Sequence, residues 1–419
     1  MKKYALIVDP LSSGALYTPE LIKHELIPIA VLSQFPVLNV YTTSFKKSDF
    51  EYVFVNYDES TLIMEIEKFL KDKTLAFIVA GAECGVTLAD KLSEHFCPEL
   101  SNGSTLSSAR RNKFDMGARL AKDKIPVPLS IQASTIDEVL VFCKTHELLP
   151  SGIVIKPLNS AGTDSVSACF DEASIRNAMQ KSIGEKNLFN HLNEKMFVQE
   201  FLAGVEYVVD TASFAGKHTV TDICRYTKIQ ENGSQFVYDC LDFLPPEGNI
   251  QKELSEYIFN VLDSLGIQYG PAHSEVMLTQ KGPRLIETGA RVHGGIGVSA
   301  CRFATGSSHL DLTLSLLLKK IKISMSKINY TIKQATKIVF LISHFDSLVK
   351  AEHSNMAILK NLPSLQLLKL NIQPSDKLKK TVDLFTMPGL LILSHSDEKQ
   401  VENDYQTIRQ LEREGLFIL

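Results

Sequence analysis

The sequence predicts an α/β protein of several packed units: a parallel α/β unit first, a more antiparallel α+β unit in the middle and a small mixed unit at the end. Three observations carry this. The 419 residues exceed what one compact core holds, at roughly 100–200 residues per domain. The first third alternates short apolar runs with segments of helical period, the signature of strands joined by crossover helices. Ile125-Pro126-Val127-Pro128 then places two prolines where a helix must stop, and a new unit starts near there.

Taken in order, Lys3–Asp9 reads as the first strand. Thr18, Pro19 and Glu20 read as an N-cap, a proline at the first helical position and a first-turn acid, predicting a helix to about Leu32. Val37–Tyr41 and Tyr52–Asn56 are strand candidates, Thr61–Leu70 a helix, Leu75–Ala80 a strand and Val86–His95 a helix. A helix carrying Lys113 leads to the prolines. Beyond them, Gly152–Lys156 and Ser165–Phe170 resemble a hairpin around the small-residue loop Asn159–Asp164, and strands are expected near Met196–Glu200, Glu206–Phe214 and Thr219–Tyr226. Glu247–Leu265 is helical, Gly270–Thr279 and Arg284–Glu287 are paired strands about the turn Lys281-Gly282-Pro283, and the tail mixes Lys337–Ile342 and Leu390–Leu393 with a helix over Glu402–Glu412.

Composition narrows the function classes. A net charge of -4, from 44 basic and 48 acidic residues spread along the chain, supplies no basic stripe for nucleic acid. With 44% hydrophobic and 22% charged residues the balance is that of a globular chain. Seven scattered cysteines, odd in number and without zinc-like spacing, suit a reducing compartment. The apolar run Ala5–Val8 stops at Asp9, short of a signal-peptide core, and no stretch reaches the 18 or so apolar residues of a membrane span. A cytoplasmic protein without a membrane or nucleic-acid partner is expected.

The richest stretch runs from Gly270 to Gly295. Strand alternation puts His273 and Glu275 on one face, and a hairpin turn at 281–283 would set Glu287 beside Glu275. Two carboxylates side by side need a cation, and Mg²⁺ takes one or two carboxylates with waters and phosphates completing its shell. Arg291, four residues on, could turn its fork of donors to the same centre, where it suits a phosphate or a developing oxyanion. The same three residues also describe an ordinary surface hairpin with one ion pair. Lys156, closing an apolar strand before a small-residue loop, and Lys113 suit phosphate oxygens, although each alone also reads as a solvated charge. No Walker A loop is present. Phe197 to Glu206 joins two strands through a connector with two acids, which fits either a hairpin or the edge of a purine nucleoside.

In this order the pieces resemble the ATP-grasp superfamily, and within it the L-amino-acid ligases that form dipeptides. Leu75–Gly81 with Ala82-Glu83-Cys84-Gly85-Val86, Ala89-Asp90 and Leu92-Ser93, then Ser108-Ala109-Arg110-Arg111-Asn112-Lys113, is similar to that branch's first domain and the helix into the ATP-grasp fold. Leu384–Gly389, Asp404-Tyr405 and Ile408-Arg409 resemble its small C-terminal domain. The resemblance implies a pre-ATP-grasp domain over 1–110, an ATP-grasp domain over 111–325 whose small nucleotide-covering part is about 128–200, and an α+β C-terminal domain over 326–419. It implies that Lys113 and Lys156 contact ATP phosphates. Gln199, Glu200 and Leu202 would meet the adenine edge, with Gln199 where related ligases often have an acid, and Glu206 would hold the ribose. Glu275 and Glu287 match the metal carboxylates, Arg291 the catalytic arginine, and His273 a substrate-facing polar position offered here as a second catalytic candidate. His293, Gly294 and Gly295 would lie by the carboxylate substrate. Gly289 departs from the family, where an Asn two residues after the second Glu binds metal.

What the resemblance implies for function is an ADP-forming carboxylate–amine ligase using ATP and one or two Mg²⁺ ions. It would join small molecules, amino acids foremost, through an acyl phosphate. Two other readings stand beside it: a carboxylase-type ATP-grasp subunit, and a nucleotide-binding regulator that has lost catalysis. The resemblance leaves the oligomeric state open, a homodimer among the options.

Overall fold

Strands that are apolar on both faces are expected in a parallel sheet covered by helices on each side, and the first unit is built this way. The computed structural model describes residues 2–34, 37, 43–160, 164–187, 189–350 and 354–418. In the first unit, β1 (Lys3–Val8), α1 (Tyr17–Lys23), β2 (Ile27–Leu32), β3 (Tyr52–Val55), α2 (Glu59–Leu70), β4 (Thr74–Ala80) and α3 (Val86–Phe96) give a four-stranded parallel sheet in the order β3-β2-β1-β4. Tyr4, Leu6 and Val8 pack with Leu62 and Ile66 of α2 and Leu92 of α3, while Ala5 and Ile7 pack with Tyr17 and Leu21 of α1 on the other face.

Next come α4 (Lys113–Lys122), β5 (Ser130–Ala133), α5 (Ile136–Thr145), β6 (Ile153–Pro157), β7 (Ser167–Cys169), α6 (Glu172–Ser182) and β8 (Met196–Glu200). The four strands form an antiparallel sheet ordered β5-β8-β6-β7, covered by α5 and α6 through Val139, Phe142, Ile175 and Met179. Thr135 and Glu138 close a capping box at the start of α5.

The largest sheet holds nine strands. It uses β9 (Gly204–Phe214), β10 (Lys217–Glu231) and β11 (Ser234–Phe243), and, after α7 (Asn249–Ser264), β12 (Gly270–Thr279) and β13 (Gly282–Gly289). Helices α8 (Gly297–Thr305) and α9 (His309–Leu317) follow, then β14 (Lys327–Ile328), β15 (Ala335–Phe340), β16 (Ser347–Leu348), α10 (Ser354–Lys360), β17 (Leu365–Leu370), β18 (Lys377–Leu378), β19 (Gly389–His395) and α11 (Glu398–Arg413). The order is β13-β12-β9-β10-β11-β15-β19-β17, with β14 beside β10, so strands of the tail extend the central sheet; β16 and β18 pair separately. Leu310, Leu314 and Leu317 of α9 pack with Ala5 and Ile7 of the first sheet, tying the C-terminal half to the first unit. Among the described residues, no helix is long and apolar enough to cross a membrane.

The predicted α/β class agrees with this architecture, and two local expectations do not. Thr18 is not an N-cap: α1 begins at Tyr17 behind Leu16 and ends at Lys23, with Glu25 in the left-handed region at φ 60°. Ile27–Leu32, expected as the rest of that helix, is strand β2, because five of its six residues are buried between β1 and β3. The strand candidate Val37–Tyr41 lies largely outside the described residues.

Candidate active site

The β12–β13 hairpin turns at Gln280-Lys281, earlier than the expected Lys281-Gly282-Pro283, because Gly282 and Pro283 already pair with Thr279 and Leu278, and Gly282 takes a φ of 86° that favours a residue without a Cβ. Its register sets Glu275 directly opposite Glu287. Their side chains keep 22% and 20% exposure, enough to meet a ligand from one side. Burial opposes charge on Glu275, but the hydrogen bond and charge of His273 outweigh it and hold the carboxyl at about 2.

Three lysines from other elements face these acids. Asn112 caps α4 by accepting from the N–H groups of Phe114 and Asp115, so Lys113 is the helix's first residue, and its ammonium donates to Glu287 Oε1 at 3.0 Å and to the Ser160 carbonyl at 2.9 Å. Lys156, buried at the end of β6, lies in the field of Glu287, Glu275 and Glu206. Burial first and neighbouring Lys113 second pull it down to about 8. Lys228 donates to both oxygens of Glu206, at 2.9 and 2.7 Å. Glu206 is nonetheless raised, by burial first and also by Glu275, against the pull of Lys228.

Arg291 is anchored by groups outside the hairpin. Its Nε donates to Glu83 Oε2 at 2.9 Å and an Nη to the Val292 carbonyl at 3.0 Å, so part of its fork points to the first unit rather than at the facing carboxylates. Arg111 holds the other oxygen of Glu83 at 2.7 Å. Burial would raise Glu83, but the two guanidinium groups outweigh it and keep the carboxyl below its ordinary range. This pair also accounts for Gly289: a Cβ there would lie 2.6 Å from Glu83 Oε2 and 3.2 Å from Arg291. The space where an Asn side chain would start is taken by a carboxylate from the first unit. Overpacking of this kind destabilises by about 1–3 kcal/mol, so Gly289→Asn is expected to lower the unfolding free energy by about that amount and to lose turnover, with added Mg²⁺ giving no recovery. Recovery at high Mg²⁺ would show that the amide reaches a metal and that Glu83 does not hold that space.

His273 does not point freely into the site. Cross-strand pairing sets it opposite Asp210 of β9, and its Nδ1 meets Asp210 Oδ1 at 2.7 Å while its Nε2 lies 3.7 Å from Glu275. Burial disfavours its charge, but Asp210 outweighs this and lifts it to about 9, leaving a cation beside Glu275. His293 places Nδ1 2.9 Å from Asp210 Oδ2, and its backbone N–H donates to His309 Nε2 at 2.8 Å. Asp210, fully buried, thus centres a group of three imidazoles, and their charges outweigh burial to hold it well below the carboxylate range. Three of these side chains lie close enough to embrace an ion, but distances of 2.7 and 2.9 Å between ring nitrogens and carboxylate are those of hydrogen bonds. The sequence reading missed Asp210, His309, Glu83 and Lys228 as site residues. The one available signal for Asp210 was a lone acid within the apolar run Val208-Val209-Asp210.

Gln199, Glu200 and Leu202 lie together at the end of β8. Gln199 is buried between Ser130 and Val154, and Glu200 accepts the Leu129 N–H at 3.0 Å. Leu202 sits in the half-buried connector to β9. Gly294 and Gly295 follow His293 with nothing within 4 Å of an added Cβ, and the Gly295 N–H donates to Ser12 Oγ of the first unit at 3.1 Å.

Two facing carboxylates suit a hard divalent cation, and the ammonium of Lys113 on Glu287 marks where positive charge is taken up. Comparison with known proteins bears on this arrangement. Residues 149–300 match the model of the ATP-grasp domain. The chain is 30% identical over 356 residues to dapdiamide A synthase of Enterobacter agglomerans, covering 84% of this chain and 82% of that one. It is similar in structure to an L-amino acid ligase from Bacillus licheniformis, with a TM-score of 0.74 and 16% identity over 98% of this chain and 97% of that chain. It is also similar to a carboxyaminoimidazole ribonucleotide synthase from Aspergillus clavatus complexed with ATP, with a TM-score of 0.70 and 13% identity over 99% of both chains.

Proposed function

We propose, from the premise that this chain belongs to the ATP-grasp family and is an ADP-forming carboxylate–amine ligase, that it joins two amino acids into an amide through an acyl phosphate. The observation that carries the reading is the pairing of Glu275 opposite Glu287 with the Lys113 ammonium 3.0 Å from Glu287. ATP would lie between the small antiparallel unit, about residues 128–200 of an ATP-grasp domain over 111–325, and the β12–β13 hairpin. Its adenine meets Gln199, Glu200 and Leu202, its ribose Glu206 and its phosphates Lys113 and Lys156. Mg²⁺ held by Glu275 and Glu287 would neutralise phosphate charge. The carboxylate substrate attacks the γ-phosphorus and ADP leaves; the amine then attacks the acyl carbonyl and phosphate leaves. The chain's own part is positioning and charge. Lys113 and Lys156 draw off negative charge, Arg291 stabilises the oxyanion, His273 holds Glu275 ionised, and Gly294 and Gly295 leave room for substrate by His293.

A domain-wide likeness to a carboxyaminoimidazole ribonucleotide synthase is a likeness of fold, and the inactive reading rested on Gly289, whose space the Glu83 carboxylate takes. The test is a phosphate-release screen over pairs of common amino acids, with mass spectrometry of the products. The expected result is ADP and phosphate in equal amounts with a product of the summed mass less water. Phosphate release that needs bicarbonate instead would favour carboxylation, and none with any pair would favour the regulator.

A further inference from the structure

The reaction needs a group that the phosphate-binding residues do not supply. An amino-acid ammonium must shed two protons to become an amide N–H. One can pass to solvent before attack. The other leaves as the N–C bond forms and must meet a base. Glu275 and Glu287 face the cation position, Lys113 is tied to Glu287, Lys156 faces the phosphates in this reading, and His273 is held between Asp210 and Glu275. A neutral imidazole with one nitrogen fixed by a carboxylate and the other unbonded is suited to the task.

His293 has this arrangement. Asp210 accepts at Nδ1, 2.9 Å away, which in the neutral ring leaves the lone pair on Nε2. Burial first and the neighbouring His273 second pull the ring below its ordinary value, which favours its neutral form. Its ring stacks on His273, with centroids 4.0 Å apart and 35° between planes. Both rings put Nδ1 on Asp210, and the Nε2 of His273 faces Glu275. No partner meets His293 Nε2 among the described residues, and the side chain retains 10% exposure. Gly297 presses on the ring, since a Cβ there would lie 2.3 Å from its Cγ, and the open backbone of Gly294 and Gly295 begins beside it.

We propose that His293 is the general base of amide formation, with Asp210 as its positioning residue. The inference rests on the acyl-phosphate reading above. As the amine nitrogen bonds to the acyl carbon, its surplus proton moves to His293 Nε2. The C–O bond to phosphate breaks with its electron pair on the departing phosphate, and the imidazolium, stabilised by Asp210, returns its proton to that phosphate or to solvent. No oxidant or other reactant is needed.

The test separates the two half-reactions. With a carboxylate and Mg-ATP, amide formation with an amino acid is compared with hydroxamate formation, because hydroxylamine is the weaker base and its more acidic adduct gives up the surplus proton to water more readily. In His293→Gln the ratio of amide to hydroxamate is expected to fall about 100-fold or more, within the roughly 10²–10⁴-fold typical of general bases. In His293→Ala, free imidazole is expected to restore part of the amide rate. Equal losses of both products without imidazole rescue, or an unchanged amide rate, would overturn the proposal alone. A wild type that forms no hydroxamate with any carboxylate would overturn the acyl-phosphate reading and the proposal with it.

Discussion

Arg291→Ala is expected to bind ATP nearly as well as the wild type while losing about 10²–10³ in turnover, the range for removing one preorganised oxyanion donor. The reason is where the guanidinium stands. It is fixed by Glu83 and by the Val292 carbonyl, and its charge also bears on Glu275 and His273. A donor held by other groups costs little reorganisation when charge develops on the reacting carbonyl or phosphoryl oxygens, so its contribution falls on kcat rather than on nucleotide affinity. Arg291→Lys keeps the charge but not the fork and should recover only part of the loss. Nucleotide affinity, from titration calorimetry, and turnover are measured together. Wild-type turnover in Arg291→Ala would sink the assignment, and a loss confined to ATP affinity would move the residue to the nucleotide.

Glu287→Ala is expected to abolish Mg²⁺-dependent ADP formation with the fold intact. Its side chain is 20% exposed and paired with Lys113, so truncation opens the site to water instead of leaving a closed cavity. Lys113 keeps the Ser160 carbonyl, 2.9 Å away. The carboxylate opposite, Glu275, is left alone on its strand, and one acid with waters binds Mg²⁺ more weakly than two. ADP formation across a Mg²⁺ titration, with circular dichroism as the check on folding, decides the matter. Unchanged activity at low Mg²⁺ would refute the metal role.

How far the site was legible follows from how local its parts are. Glu275 and Glu287 were readable because strand alternation and a two-residue hairpin fix which side chains face each other. Asp210 lies on β9, 63 positions before its partner His273, and only the β9–β12 pairing brings them together. Glu83 is farther still, 208 positions from Arg291, and its role depends on packing between units that no local pattern encodes. Pro19 and Glu20 do lie in the first turn of α1, but Thr18 does not cap it, and burial of Ile27–Leu32 on both faces made a strand of what was expected to continue the helix. β5, with four residues, was too short to show a period, whereas α5 was passed over although the Thr135 and Glu138 spacing of its capping box was readable.

The claim on which the account stands is that ATP activates a carboxylate by phosphoryl transfer, and the most direct test follows oxygen. With the carboxylate substrate labelled with ¹⁸O and the amine and Mg-ATP unlabelled, each turnover is expected to place one ¹⁸O in the released phosphate, read by mass spectrometry alongside unlabelled ADP. Label appearing in AMP, or phosphate released without label while amide forms, would contradict it.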